Sequence, residues 1–514
     1  MALDSHIQRQ VLWSIASYLF PAVATLVFTP LIVQGLGAER YGIFLLAMTT
    51  IGVLAIVDLG LAAAATRELS MARLHTESTH TRQAFWTAMG LYGVISVVGG
   101  AGTFTAVPWL VRDVLALAPA LRADGEVALR WAALGLFVNL LSAPWMSYLR
   151  AAEMNDSQAR IGIAATVVGS LGTLWRGLQG DLSGALAAQV TASALSLGCS
   201  IVVVRQREPD RVAWAAPSWA VFREMARFAA WQFAAMASAT VGQHLARLII
   251  ARQLGPADLT WYSVPQSVAQ RVQKLIESAA RMLFPRIARL SATGDTADLA
   301  ATYRRAQKTI VLMSIVACVP LAACAEPFLA AWMGPQFADR AHVCLTVLAV
   351  GYAIGCLGIG YVAALSGLGQ MRAVFATETA ITAVGVIGLW PLLAWRGIDG
   401  VALAALLGWA GLVVPHIVLS RRLGSVAHDG LFRLIAGALA CTVPLALAAR
   451  AALLAMPHGS VALPILAMGM ASGLGLLAAL WIPGLFGVDG DLASQLRAAL
   501  TGRLQKLAAR IRRA

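Results

Sequence analysis

Long apolar stretches separated by short polar segments recur along almost the whole chain. Glycine, proline and charged residues interrupt them, and fourteen stretches reach about 20 residues, the length that an α-helix needs to cross the hydrocarbon core of a bilayer. They lie near residues 11–33, 41–66, 84–109, 127–149, 159–175, 182–204, 228–250, 261–285, 309–329, 343–365, 373–395, 400–420, 431–449 and 461–484. We therefore predict an all-α polytopic membrane protein with about fourteen transmembrane helices.

The composition favours the same conclusion. Of the 514 residues, 59% are hydrophobic and only 12% are charged, and the mean hydropathy is +0.73. Average soluble domains carry about twice that charged fraction, so the polar surface is too small to cover a set of soluble domains. The six cysteines lie in or beside apolar stretches without the spacing of a disulfide framework or a zinc site, and we expect no metal and no other cofactor.

The basic residues predict the orientation in the membrane. If the N-terminus is cytoplasmic, 27 of the 39 lysines and arginines fall on the cytoplasmic side and 10 on the outside. This bias follows the positive-inside rule and places both termini in the cytoplasm. The first apolar stretch continues to Val33. It is longer than the apolar region of a signal peptide, about 7 to 15 residues, and therefore predicts an uncleaved first span.

The two halves of the chain resemble each other. Residues 31–39 (LIVQGLGAE) resemble residues 248–258 (LIIARQLGPAD), at an offset of 217 to 219 positions. The same offset carries Asp58 onto Glu277 and relates spans three to six to spans nine to twelve. This agreement predicts an internal duplication. Because each copy has an even number of spans, the copies should face the same way and leave a cleft between them.

The duplication predicts the domain organisation. Two six-helix lobes occupy residues 1–205 and 228–423, and a cytoplasmic linker at residues 206–227 joins them. Residues 424–486 have no counterpart in the duplication and form an additional helix pair. Residues 487–514 alternate leucines with arginines at helical spacing, which predicts a basic amphipathic cytoplasmic tail that binds the anionic lipids of the inner leaflet.

Several short motifs follow one another in a defined order. They are Pro30–Gly42 (PLIVQGLGAERYG), Asp58–Leu61 (DLGL) leading to Arg67, Leu248–Gly255 (LIIARQLG), Phe284–Leu290 (FPRIARL) and Ala364–Gln370 (ALSGLGQ). Together they resemble the polysaccharide-biosynthesis (Wzx-type) lipid-linked oligosaccharide flippases of the MOP exporter superfamily, over roughly residues 10–425. The resemblance implies a MATE-like fold and a transporter that is not an enzyme.

The implied substrate is an undecaprenyl-diphosphate-linked oligosaccharide, the repeat unit of O-antigen, capsule or exopolysaccharide. The protein would move it by alternating access from the cytoplasmic to the periplasmic leaflet of the bacterial inner membrane. The additional helix pair would border an apolar groove for the isoprenoid tail. Polysaccharide polymerase machinery is a further expected partner, and nucleic acid is not an expected one.

Other functions remain open from the sequence. An ion-coupled exporter of small molecules, including drugs, is the nearest alternative, although the additional helix pair and the basic residues of span eight disfavour it. A membrane glycosyltransferase or polymerase of the same pathway should carry a sizeable outside loop, which the pattern does not show. A P-loop requires Gly-Lys, whereas each lysine here follows glutamine, so transport should be ion-driven or downhill.

Span eight carries most of the candidate substrate-binding residues. Polar residues recur on one helical face at spacings of three and four: Gln266, Gln270, Gln273, Lys274, Glu277 and Arg281, with Arg271 at the edge. A charge at the bilayer centre costs about 2.5 to 3.5 kcal/mol on insertion scales. Arg271, Lys274 and Glu277 should therefore face a wet cavity or one another.

Two interpretations of this stripe remain open. In the first, Lys274 or Arg281 forms an ion pair with Glu277 along the helix and only packs one lobe. In the second, Gln270, Arg271, Lys274 and Arg281 form a cationic cavity wall for a diphosphate and for acidic sugars. Gln243 and Arg247, at i,i+4 on span seven, would complete this wall.

Asp58 and Glu277 are the candidate ion-coupling residues. Each lies about eight residues from the inner end of its span, and the duplication makes their positions equivalent. A carboxylate inside the membrane can bind a proton or a cation that drives transport. It can also serve only as the partner of an arginine on the next helix, and the sequence leaves both roles open.

Overall fold

The computed structural model describes residues 2–54, 56–73, 78–280, 296–368, 370–423, 430–455 and 461–481. All regular secondary structure in these residues is helical. The α-helices are α1 (Ala2–Leu54), α2 (Ile56–Ala72), α3 (Ser78–Trp109), α4 (Arg122–Ala151), α5 (Asn155–Leu178), α6 (Leu182–Arg207), α7 (Trp219–Gln253), α8 (Pro256–Ala280), α9 (Thr296–Ala323), α10 (Ala325–Met333), α11 (Pro335–Gly367), α12 (Met371–Arg396), α13 (Ile398–Gly408), α14 (Val413–Leu423), α15 (Leu431–Ala455) and α16 (Ala462–Trp481).

The lengths and hydropathies of these helices confirm the prediction of an all-α polytopic membrane protein. Ten segments of the described chain are long and apolar enough to cross a bilayer, and one of them runs from α13 through a 3₁₀ turn into α14. The apolar part of α16, Ala462–Ala478, is shorter. Helix α2 is short, with 17 residues, and α8 is more polar than the other long helices. Together with α7, they lie where the second, seventh and eighth spans are predicted.

Glycine 37 divides α1 into two parts. Its φ of 78° and ψ of 160° are non-helical, and glycine adopts a positive φ without the steric cost that a side chain would add. The part before Gly37 contains the first predicted span. The part after it, followed by α2, covers the second predicted span at residues 41–66.

The chain divides into two compact units, unit 1 at Met1–Ser263 and unit 2 at Val264–Ala514. The border lies inside α8. Compactness and sequence duplication are different criteria, so the lobe and linker boundaries predicted from the sequence stay a prediction.

In unit 1, α4 packs against α1, α2, α3 and α6, and α7 packs along α2. The contact between α2 and α7 is close because Gly60 has no side chain. A Cβ atom at this position would lie 2.3 Å from the carbonyl oxygen of Ala229. Small residues of this kind let helix backbones approach in a bilayer, where van der Waals packing drives the association of helices.

The segment after α6, residues 208–218, is fixed to unit 1 by a partly buried polar cluster. Arg73, just after α2, donates two hydrogen bonds to the Glu208 carboxylate, one of them at 3.0 Å from Nη2 to Oε1. The Tyr148 hydroxyl donates a further bond to Glu208, and Arg73 Nη1 donates to the Tyr148 oxygen at 3.1 Å. The two arginine bonds to one carboxylate form a bidentate pair, which is strong because it combines charge with fixed geometry.

The following residues of the same segment bind the start of α3. The Trp86 indole N–H lies 3.3 Å from the carbonyl oxygen of Val212 and 3.1 Å from that of Ala213. The Thr87 hydroxyl accepts a hydrogen bond of 2.9 Å from the Ser218 N–H. Side chains of Arg73, of α3 and of α4 thus hold the segment along most of its length.

In unit 2, α9 is the central helix and packs against α11, α15 and α16. Its contact with α15 forms an apolar core of buried side chains: Val311, Leu312, Ile315, Val316, Leu434 and Ala438. At the end of this interface, Arg450 of α15 forms a 2.8 Å ion pair with Glu326 of α10. The helix pair that has no counterpart in the predicted duplication is therefore an integral part of unit 2.

We predict that the Glu208 cluster stabilises the protein at neutral pH and loses this effect in acid. Burial alone would raise the pKa of the Glu208 carboxyl, but the hydrogen bonds from Arg73 and Tyr148 and the charges of Arg73 and Arg211 outweigh it and lower the pKa. A carboxyl whose pKa is lower in the folded state stabilises that state above the unfolded pKa, about 4.3 for glutamate. The stabilisation falls as the pH drops through the folded pKa.

The measurement is the difference in Tm between the wild type and Glu208→Gln in detergent, from pH 7 down to pH 3. The difference should be largest at neutral pH and should shrink below about pH 4. The control is Glu153→Gln, in the exposed turn after α4, which should change Tm little at any pH. A difference between wild type and Glu208→Gln that does not depend on pH would contradict the prediction.

Candidate functional site

Helix α8 carries the polar stripe and is strongly amphipathic. Its inner face is nearly fully buried, with Tyr262 1%, Gln266 5%, Ala269 1% and Ile276 8% exposed. Ile276 packs with Ile310 of α9 and Cys356 of α11, which anchors the second half of α8 in unit 2. Gln270, Arg271, Lys274 and Glu277 are half-buried on the polar side of the helix.

The ion pair given above as one interpretation of the stripe is present. Lys274 Nζ lies 2.8 Å from Glu277 Oε2, at i,i+3 on the same helix, and the two side chains are 44% and 27% exposed. Arg271 lies one turn before Leu275, which is 57% exposed. Between residues 264 and 280 the charged residues are Arg271, Lys274 and Glu277, which give this stretch a formal net charge of +1.

The other predicted substrate-binding residues are spread more widely. Arg247 is half-buried on α7, in unit 1. The Gln243 side chain and the whole of Arg281 lie outside the described residues. The structure thus brings Gln270, Arg271 and Lys274 together on α8 and places Arg247 in the other unit.

Asp58 lies in a second polar cluster, inside unit 1. The hydroxyl of Tyr92 on α3, a fully buried residue, donates a hydrogen bond to Asp58 Oδ1. Arg150 at the end of α4 is close enough to act electrostatically on both Asp58 and Tyr92. Arg150 Nη2 also donates a 3.0 Å bond to Ser147 Oγ, and Ser147 is buried. We call Asp58, Tyr92, Ser147 and Arg150 the Asp58 cluster.

The two candidate coupling carboxylates have different partners. Asp58 is bound by a side chain of a neighbouring helix, whereas Glu277 forms its ion pair within its own helix. The offset of 219 that relates them carries Tyr92 onto Val311, which is buried in the apolar core of unit 2. Their positions are related by the predicted duplication, but their chemical environments are not equivalent.

Sequence reasoning missed Tyr92, Ser147 and Arg150. A phenol inside the apolar stretch of α3 was the available signal for Tyr92, because a buried tyrosine hydroxyl needs a hydrogen-bond partner. In the sequence, Arg150 appears only as a basic residue at the end of a predicted span, with nothing that relates it to Asp58. In the Asp58 cluster the carboxylate accepts the Tyr92 hydrogen bond, and the positive charge of Arg150 partly offsets the negative charge of Asp58.

A model of one protein family, described as polysaccharide biosynthesis protein, matches residues 7–291 of this chain. The chain belongs to this family. A relative from Shigella flexneri that is named as an O-antigen transporter is 20% identical over 369 residues, which is 71% of this chain and 85% of the relative. The family resemblance stated from the sequence motifs is confirmed.

Two solved structures show the fold that this chain shares. The match to the lipid II flippase MurJ, in an inward closed conformation, covers 92% of this chain and 99% of the MurJ chain, with a TM-score of 0.70 and 12% identity. The match to an inward-facing MATE multidrug resistance transporter of the MOP superfamily covers 80% of this chain and 96% of the transporter chain, with a TM-score of 0.67 and 14% identity. The predicted MATE-like architecture is therefore confirmed.

We predict that the hydrogen bond between Tyr92 and Asp58 stabilises unit 1. Tyr92→Phe keeps the buried ring and removes only the hydroxyl, and a hydrogen bond to a charged group contributes about 1.5 to 3 kcal/mol. The substitution should lower Tm in detergent. In an Asp58→Ala background the same substitution should have a much smaller effect, because the acceptor is gone. Equal effects in the two backgrounds would show that the tyrosine hydroxyl acts on some other group.

Proposed function

We propose that this protein is a flippase for lipid-linked oligosaccharides. It moves an undecaprenyl-diphosphate-linked repeat unit of O-antigen, capsule or exopolysaccharide from the cytoplasmic to the periplasmic leaflet of the bacterial inner membrane. The observation that carries the proposal is the family match over residues 7–291, and the O-antigen transporter from Shigella flexneri supports the substrate class.

The structural likeness favours a lipid substrate over a soluble drug. The lipid II flippase covers 92% of this chain, whereas the MATE transporter covers 80%. Helices α15 and α16 pack into the apolar core of unit 2, so this pair is an integral part of the folded unit. In our proposal this pair borders the path of the isoprenoid tail, while the diphosphate and the saccharide cross between the two duplicated lobes by alternating access.

The polar side of α8 is the proposed contact for the diphosphate. A diphosphate loses its hydration when it leaves the aqueous phase, and fixed cations can replace that hydration. The planar guanidinium of Arg271 can donate two hydrogen bonds to phosphate oxygens. The ammonium group of Lys274 is a point charge that also forms the ion pair with Glu277. Gln270, Gln243, Arg247 and Arg281 complete the proposed binding residues, and Arg271 is the one on which the proposal depends most.

Ion coupling is the proposed role of Asp58 and Glu277. The Asp58 cluster supports this role because its carboxylate is held by a hydrogen bond between helices, so a change of protonation acts on the packing of α2 against α3. Glu277 supports it less directly, since its charge is offset by Lys274 on the same helix. Cytoplasmic termini and a tail at residues 487–514 that binds anionic lipids complete the proposal, and polysaccharide polymerase machinery is the proposed protein partner.

Reconstituted protein can distinguish the proposed function from its alternatives. Liposomes that carry a fluorescent lipid-linked oligosaccharide in both leaflets should show protein-dependent movement of the lipid, measured as accessibility to a membrane-impermeant quencher. A drug-export activity with no movement of the lipid would favour the small-molecule exporter. Transfer of sugar to a new acceptor, detected by mass spectrometry, would favour a glycosyltransferase or polymerase.

We predict that Arg271→Ala abolishes export of the glycan while the protein inserts at normal abundance. Arg271→Lys should be partly active, because it keeps the charge and loses the bidentate geometry. Lys274→Arg should be milder than Lys274→Ala for the same reason. Surface glycan in a flippase-deficient cell is the measurement, and Ser278→Ala, at an exposed position of the same helix, is the control.

The Lys274–Glu277 pair allows a direct test of the alternative, in which the cations of α8 have only a structural role. If the cations of α8 only neutralise Glu277, then Glu277→Gln should restore the export that Arg271→Ala removes. Rescue of that kind would assign Arg271 and Lys274 to the scaffold. Continued loss of export in the double variant, at normal protein abundance, is the result expected for a substrate-binding arginine.

A further inference from the structure

Two tryptophans at the connection between α6 and α7 project from the protein. Trp214 is 70% exposed, and Trp219, at the start of α7, is 74% exposed. The centre of the Trp214 ring lies 4.7 Å from that of Trp86, in an edge-to-face contact, and the Trp219 ring stacks on Phe222 at 4.8 Å. Large apolar rings that are held in place outside the core are typical of a surface that contacts another molecule or a membrane.

The backbone of the connection is fixed at the level of the first turns of α3. The Trp86 indole N–H lies 3.1 Å from the carbonyl oxygen of Ala213, and the Ser218 N–H donates a 2.9 Å bond to Thr87 Oγ1. Each of the two exposed tryptophans directly follows one of these bonded residues in the chain. Both therefore start from the depth of Trp86 in the membrane.

The sequence around α3 indicates what this depth is. The chain carries no charged residue between Arg82 and Arg112, and this stretch belongs to a segment that is long and apolar enough to span a bilayer. Trp86 and Trp109, near the two ends of the stretch, are about 35 Å apart along a helix that rises about 1.5 Å per residue. The hydrocarbon core is about 30 Å thick, and about 40 to 45 Å with the headgroup layers. The core fits between the two tryptophans, so Trp86 lies in a headgroup layer.

Trp86 also lies on the lipid-facing side of α3. Val97 and Phe104 follow it after about three and five helical turns and share its face. They are 56% and 53% exposed. Exposed apolar side chains within a membrane span contact hydrocarbon, because apolar surface favours an apolar environment. Trp214, whose ring packs on that of Trp86, therefore stands where the lipid-facing side of α3 meets the headgroup layer.

The charges of the connection suit the same surroundings. Residues 205–227 carry five arginines and three carboxylates. Two of the carboxylates are paired with arginines outside this range, Glu208 with Arg73 and Glu224 with Arg67, the latter at 3.8 Å. The five arginines are exposed or half-buried. Their guanidinium groups can therefore bind the phosphate groups of phospholipids.

We infer that Trp214 and Trp219 anchor the connection between α6 and α7 in a headgroup layer, with their rings at the boundary of the hydrocarbon core. Tryptophan favours this position because its ring is apolar and its N–H can donate to water or to headgroup oxygens. The linker predicted from the sequence at residues 206–227 thus lies on the membrane surface instead of free in the aqueous phase. In the proposed orientation the layer belongs to the cytoplasmic leaflet, and the inference does not rest on the proposed function.

Photo-crosslinking tests this inference with the full chain in nanodiscs. The probe is a phosphatidylcholine with a diazirine near the glycerol end of one acyl chain, which reacts only with groups that it contacts. Trypsin cleaves after Arg211 and Arg223, so both tryptophans fall in one peptide, residues 212–223, and mass spectrometry should find lipid adducts on both rings. Peptide 83–112, which contains the lipid-facing side of α3, is the positive control. Peptide 151–160, the polar turn after α4 at the same end of unit 1, is the negative control and should stay unlabelled.

Two double variants test the role of the rings. Trp214→Ser with Trp219→Ser should reduce the labelling of peptide 212–223 severalfold and leave that of peptide 83–112 unchanged. Trp214→Phe with Trp219→Phe keeps apolar rings and should retain most of the labelling. Both variants should keep the Tm of the wild type in detergent, because the two side chains are largely exposed.

Two results would overturn the inference. An unlabelled peptide 212–223 beside a labelled peptide 83–112 would place the connection in the aqueous phase, where the rings are open to a protein partner. Labelling of peptide 212–223 that the serine variant does not reduce would show that lipid reaches the connection through other side chains.

Discussion

A polar group inside a bilayer needs a partner within the protein, because the hydrocarbon core supplies no hydrogen bonds. For the backbone this constraint makes every described regular element a helix. For side chains it decides which residues must lie together. Asp58 has the hydroxyl of Tyr92, and Lys274 has Glu277. At the end of the spans, Glu208 has Arg73.

These pairs meet the same requirement with different mechanical consequences. A hydrogen bond between helices, such as the one from Tyr92 to Asp58, is kept only while α2 and α3 hold their positions, so it links charge to packing. The ion pair of Lys274 with Glu277 lies within one helix and persists however that helix packs. It neutralises two charges locally and leaves the net charge of residues 264–280 to Arg271.

The sequence predicts the fold well because the bilayer sets the length and polarity of each span. It also predicts the stripe of α8, since the spacing of three and four residues belongs to a single helix. It does not predict Tyr92 as the partner of Asp58, because that pairing depends on how two helices pack. It also does not predict the break at Cys324, which divides the predicted ninth span, residues 309–329, between α9 and α10. The internal duplication relates the positions of Asp58 and Glu277, yet tertiary packing gives them different neighbours.

Helix α8 is also the element in which the chain passes from unit 1 to unit 2, between Ser263 and Val264. Pro265 lies within two residues of this border. Proline has no N–H to donate to the carbonyl four residues earlier, so one backbone hydrogen bond of the helix is missing at this point. The preceding helix α7 is tied to unit 1 by the close approach of Gly60 and Ala229 and by the 3.8 Å pair of Glu224 with Arg67.

Beyond Pro265, the second half of α8 packs within unit 2 through Ile276. Gln270, Arg271 and Lys274 all lie beyond the proline. The residues of α8 proposed to contact the diphosphate thus belong to unit 2. Their local ion pair, Lys274 with Glu277, lies within the same half of the helix, so its geometry does not depend on the packing of unit 1.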